Sequence, residues 1–206
     1  MPEDHDESTA SHRAAVLAGY QRDTVGARAL TFDPAPRVRA AAYGALARCD
    51  ALDDATLRDA LADDDPVVRR RAISLAVPRP HIDVAALLRD PDDTVVEHAS
   101  WACGERAADV DIVATLSALV VEHDEPLVRE AAVAALGAIG DQAGLPAILH
   151  ACADRATVRR RAVLALAPFD GPDVEQAIRA ACADRDWQVR QSAEDLASIM
   201  GINGDV

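Results

Sequence analysis

A chain of 206 residues, half of them apolar but only six aromatic, has room for one or two ordinary domains. Its net charge of −14 sets 35 carboxylates against 21 arginines with no lysine, which disfavours a phosphate backbone or an anionic membrane surface as partner. No run of 18 apolar residues occurs and the start, MPEDHDEST, is acidic rather than basic-then-apolar, so neither a membrane span nor a secretory leader is expected and a cytoplasmic protein is.

Residues 1–8 are expected to be an acidic disordered tail, followed by a single domain over 9–206. Ser8 to Tyr20 predicts a first, capping helix with Ser8 or Thr9 as N-cap. After it a short phrase returns six times, about thirty residues apart. It reads DPAPRVRAAAYGAL from Asp33, DDDPVVRRRAISLA from Asp63 and DRDWQVRQSAEDLA from Asp184, with related stretches from Asp92, Asp124 and Asp154. The frame is an acidic turn, often a proline, then Val-Arg, then alanine three residues on.

Aligned on that pair, the anchors are Arg39, Arg69, Glu97, Arg129, Arg159 and Arg190. A period of this size marks stacked supersecondary units, each a helix pair that cannot cover its apolar face alone. Asp before the second helix is a strong N-cap, and Pro34, Pro36, Pro66 and Pro126 fall where a missing N–H has no intrahelical partner. The fold expected is all-α, a right-handed α–α superhelix of about six helix pairs plus the N-terminal capping helix.

Cys49, Cys103, Cys152 and Cys182 fall on or near helical apolar stripes without CxxC spacing, as buried small hydrophobes rather than a metal or disulfide framework. The excess of aspartate over glutamate fits either a salt-adapted surface or a GC-rich coding bias. No nucleophile motif or phosphate-cradling glycine loop is present, and no cofactor is expected.

The Asp-Pro-Asp-Pro-x-Val-Arg-x-x-Ala-x-x-Ala-Leu-Gly frame, seen in part at Asp33–Arg39, Asp65-Pro66-Val67-Val68-Arg69 and Glu125-Pro126-Leu127-Val128-Arg129, resembles the HEAT-like repeats of the phycobilin-lyase type over roughly residues 23–200. The resemblance implies the solenoid, and it implies a ladder in which turn aspartates meet helix arginines. Asp33, Asp63, Asp124, Asp154 and Asp184 would then meet Arg39, Arg69, Arg129, Arg159 and Arg190. The third copy departs from the frame, with Glu97-His98 where the arginine is expected and Ser100 at the alanine position. HEAT-like hydroxylases hold iron through His-Glu pairs of several repeats; this chain has one such pair, in reversed order.

The function these features favour is a non-catalytic scaffold or adaptor that holds a protein or peptide on the concave face. The alternative is a metal- or chromophore-dependent enzyme or subunit, bilin lyase-like or hydroxylase-like. The outward positions of the second helices, taken as one, four or five and eight past the arginine, give Arg70, Ser74, His98, Trp101, Glu105, Glu130 and Arg160, with Tyr43 and Glu194 at the ends. Trp101 aligns there with Ile73, Val133 and Val163, which leaves open whether it packs between repeats or meets a partner.

Overall fold

A computed structural model describes residues 3–106 and 109–202, with side chains from Thr9 onward. Met1 and Pro2 of the expected tail lie outside the described residues, as do the side chains up to Ser8; the first helix, α1, spans Glu3–Gln21. Among the described residues the chain is all-helical. Two compact units are distinguished, Met1–Val84 and Ala85–Val206.

The first unit adds two helix pairs to α1: α2 (Thr24–Leu30) with α3 (Pro36–Arg48), and α4 (Asp54–Leu61) with α5 (Pro66–Ala76). The second unit opens with a single 3-10 segment, Ala85–Arg89, in place of a first helix, paired with α6 (Asp93–Gly104). It continues with α7 (Val110–Glu122) and α8 (Pro126–Ile139), α9 (Leu145–Ala151) and α10 (Ala156–Ala165), and α11 (Pro172–Ala181) and α12 (Trp187–Met200). Second helices pack on second helices, α3 on α5 in one unit, with α1 against α3, and α6, α8, α10 and α12 in succession in the other. The expected six pairs plus one helix are therefore present.

The local causes are those the frame implies. Asp65, Asp92 and Asp186 each accept the amide two residues on and cap α5, α6 and α12. Pro36, Pro66 and Pro126 occupy the first turn of their helices. The apolar pair of the frame forms the core: Val38, Val68, Val95, Val128, Val158 and Val189 are buried, as are Ala42, Ala72, Ala99, Ala132, Ala162 and Ala193.

That pattern fixes the register of the third copy. Val95 takes the valine position and Ala99 the alanine position, so the residue at the arginine position is Val96 and not Glu97. The alignment on Glu97-His98 is shifted by one residue because the turn aspartate of this copy is Asp90, whose carboxylate accepts the Asp92 amide at 2.9 Å just as Asp63 accepts that of Asp65. Ser100 then falls at the position of Ile73, Val133 and Val163; it is fully buried and donates its hydroxyl to the Val96 carbonyl at 2.9 Å. Tyr43 shares this position and is likewise buried, against its expected outward placement.

Three arginines of the frame, Arg39, Arg129 and Arg159, each link two turns. Arg39 donates from Nη1 to the carbonyls of Asp33 and Pro34 in its own turn, and from Nε and Nη2 to both oxygens of Asp63 in the next. Arg129 does the same with the carbonyls of His123 and Asp124 and the carboxylate of Asp154. Arg159 joins the Asp154 carbonyl to the Asp184 carboxylate. The aspartate is shared in turn: Asp63 and Asp184 also accept the amide two residues on, and Asp154 that of Arg155.

Bidentate pairing of this kind fixes both register and orientation. Arg69 donates to the Asp63 and Asp64 carbonyls, and Arg190 to that of Asp184. Asp33 uses its carboxylate on the Ala35 amide, and Asp124 contributes only a carbonyl to Arg129 among its described hydrogen bonds.

One rung is exchanged as a unit. Where the arginine becomes Val96, the turn residue of the next repeat becomes His123. Its Nδ1 accepts the Glu125 amide at 3.1 Å, the role the aspartate plays elsewhere, and its Nε2 lies 3.7 Å from Asp93 Oδ1.

Candidate functional site

The second helices turn one face to the core and the opposite face outward. At about 100° per residue, positions two, five and nine past the frame arginine fall within about 60° of one another. In α6 these are His98, Trp101 and Glu105; in α8 they are Ala131, Ala134 and Ala138. With the register corrected, Trp101 aligns with Ser74, Ala134 and Leu164 instead of the core set Ile73, Val133 and Val163. It is 42% exposed, so it belongs to the surface.

Four of the expected surface residues meet in one groove of about 430 Å³ in the second unit: His98, Trp101, Glu105 and Glu130. The floor is the alanine face of α8, and Glu97, Leu127 and Arg161 complete the rim. The His98 and Trp101 rings are 5.0 Å apart with their planes tilted by 42°. Arg161 approaches Glu130 at 3.4 Å. Three carboxylates against one guanidinium leave the groove acidic around an aromatic centre.

Arg160 is exposed but does not line this groove; its neighbour Arg161 does. Arg70 and Ser74 lie in the first unit, where the Ser74 hydroxyl donates to the Arg70 carbonyl at 3.3 Å.

The floor is flat because the helices approach through glycine. A Cβ on Gly104 would lie 2.9 Å from Ala135 Cα, and one on Gly137 would lie 2.7 Å from Ala165 Cα. These distances leave no room for a side chain, so α6, α8 and α10 close up backbone to backbone.

Among the described residues no group of three His, Cys, Asp or Glu side chains has the arrangement to hold a metal ion, and the Glu97-His98 pair gathers no further donors of that kind. All four cysteines are free, Cys49 and Cys103 buried. Burial pushes the Cys152 thiol up to about 11 and raises that of Cys182 as well, with Glu194 adding to the latter, so neither is poised as a thiolate. No described helix is long and apolar enough to cross a membrane.

Comparison with known proteins agrees with this architecture. Residues 84–167 match the family model of HEAT repeats. No curated protein matches the sequence. Among solved structures, a designed armadillo repeat protein in complex with the peptide (KR)4 is similar at TM-score 0.58 and 17% identity, over 86% of this chain and 98% of its own. Human deoxyhypusine hydroxylase in complex with glycerol is similar at TM-score 0.50 and 18% identity, over 94% of this chain and 80% of its own. At such identities the likeness is one of fold.

Proposed function

We propose that this chain of HEAT repeats is a non-catalytic interaction module, and that the groove of its second unit holds a basic peptide segment. The observation that carries this reading is Trp101. A large aromatic side chain stands half-exposed at a position where the neighbouring repeats carry Ser74, Ala134 and Leu164. Its indole sits over an alanine floor and is ringed by Glu97, Glu105 and Glu130.

An arginine or lysine side chain suits all three features at once. Its methylene stem covers the apolar floor, its cationic head meets the indole face, and the carboxylates hold it by charge-assisted hydrogen bonds. A cation over an indole contributes about 0.5–2 kcal/mol according to how fully it is desolvated. Arg161 keeps Glu130 oriented until the ligand arrives. The net charge of −14 speeds the approach of a cationic partner. The designed armadillo protein of similar fold, solved with (KR)4, supports the same class of ligand.

The test is titration of the full chain with an alternating Lys-Arg octapeptide, followed calorimetrically. Trp101→Ala is expected to weaken binding about 30-fold, the loss typical of an interface hot spot. It should leave the melting temperature nearly unchanged, since the side chain is half-exposed. Equal affinity of the variant and the parent would remove Trp101 from the site and this reading with it.

A further inference from the structure

The corresponding face of the first unit has the opposite charge. A groove of about 290 Å³ lies between α1, α3 and α5, with Arg37, Arg48 and Arg71 on its rim, His12 beside them and no carboxylate among the described residues of its lining. Arg71 and Arg48 stand two and nine residues past the frame arginines, the positions held by His98 and Glu105 in α6.

Several arginines elsewhere in the chain pair with acid: Arg28 with Asp53, Arg79 with Asp54, Arg161 with Glu130 and Arg179 with Glu175, besides the turn-linking pairs. Arg37 and Arg71 make no ion pair or hydrogen bond with any described residue, and the one described contact of this kind for Arg48 is the Tyr20 ring, 4.5 Å from its guanidinium carbon. In a protein with 35 carboxylates, three guanidinium groups thus gather in one groove with no described acidic partner.

Two of them are also seated. A Cβ on Gly44 would come within 2.5 Å of Arg71 Nη2, and one on Gly19 within 2.6 Å of Arg48 Nη1. The missing side chains at Gly44 and Gly19 let the two guanidinium groups lie against α3 and α1 respectively. Such placement lowers the ordering cost of binding.

We infer that this groove is a second binding site, for a protein segment in which aspartate or glutamate flanks one apolar side chain. The planar guanidinium groups suit carboxylates bidentately. Val16 and Val67, each 37% exposed, give the apolar side chain a place to lie between them. A nucleic acid shares the anionic chemistry but fits less well. Its phosphates run beyond the groove onto an acidic body, where repulsion acts over about 8 Å at physiological salt, whereas a short acidic segment ends within it.

The site does not depend on the basic-peptide reading of the second unit, and its test separates the two. A fluorescein-labelled octapeptide with leucine between pairs of glutamates is titrated into the full chain, beside its all-glutamine counterpart and a single-stranded DNA octamer. The acidic peptide is expected to bind at least tenfold tighter than either. That binding should be lost in the double variant Arg37→Gln/Arg71→Gln, partly kept in Arg71→Lys, and unchanged in Trp101→Ala. Both arginines lie on the surface, and matching melting curves confirm that the variants fold. Equal binding of the glutamine peptide, tighter binding of the DNA, no binding of the acidic peptide, or binding that survives the double variant would each overturn the assignment.

Discussion

Arg159 and Asp184, 25 residues apart, share two hydrogen bonds of 2.8 and 2.7 Å, and their side chains are only 7% and 14% exposed. The same guanidinium holds the Asp154 carbonyl at 2.7 Å, so one side chain ties two successive turns together. Removing it leaves Asp184 with an unmatched charge. Arg159→Met is expected to cost about 3 kcal/mol, the lower end for breaking a buried pair. Arg190→Met supplies the comparison: Arg190 is held by the Asp184 carbonyl alone among described partners, and its loss should cost about 1 kcal/mol. Urea unfolding of the two variants measures the difference, and equal costs would mean that the carboxylate partner adds nothing.

Acid should dissolve these links. The hydrogen bonds from Arg129 and Arg159 hold the carboxyls of Asp154 and Asp184 below the ordinary range, in spite of burial. At Asp63 burial is the larger influence and pushes upward, but the Arg39 and Asp65 hydrogen bonds with the nearby arginine charge outweigh it together. Groups with lowered values stabilise the fold fully above the unfolded carboxyl value of about 4. As the pH falls below that value the unfolded chain takes up protons first, and the stabilisation is lost as the folded values are crossed. A fall in melting temperature between neutral pH and about pH 3 is expected, shallower in Asp184→Asn than in the parent. Identical slopes would show that Asp184 carries no such linkage.

The exchanged rung can be restored. Val96→Arg alone puts a guanidinium into a site 2% exposed without a carboxylate, and His123→Asp alone keeps the turn but gains no arginine. The double variant supplies both partners. A double-mutant cycle is expected to show favourable coupling of about 1–3 kcal/mol. Additivity of the two single effects would mean that the local backbone no longer permits the link.

Alanine should be worse than glycine at position 137. In a helix interior Gly→Ala ordinarily gains about 1 kcal/mol from propensity. Here the new methyl would meet Ala165 Cβ at 2.6 Å and its Cα at 2.7 Å, so α8 and α10 would have to separate. Overpacking of this kind costs about 1–3 kcal/mol. Gly137→Ala is therefore expected to lower the melting temperature, and a rise would show that the two helices yield.

Most of the architecture was legible because it rests on repetition. A valine and an alanine four residues apart, returning six times, define a buried stripe on each second helix, and capping aspartates with first-turn prolines mark the starts. The candidate site was less so. Counting forward from the conspicuous Val-Arg pair placed Glu97 in the arginine position, although Val95-Val96 offered the same pattern one step earlier. The shift aligned Trp101 with core residues, and taking the fourth position past the arginine as outward misplaced Tyr43. Comparing turns rather than helices, with Asp90 set against Asp63, is the signal that would have corrected it. The basic groove went unread for a related reason: Arg37, Arg48 and Arg71 are distant in sequence, and nothing in a linear pattern shows which arginines already have a partner.

The chain by itself determined the helix pairs, their number and the buried face of each, since those follow from a periodicity that every copy repeats and from local capping chemistry. Only the tertiary structure decided which arginine meets which aspartate, which glycines bring backbones together, and that one groove is acidic around Trp101 while another gathers Arg37, Arg48 and Arg71. The physical reason is that a residue's partners across a stack are set by the rotation and approach of neighbouring helices. Shifts of a single position, about 100° around a helix axis, turn a core residue into a surface one.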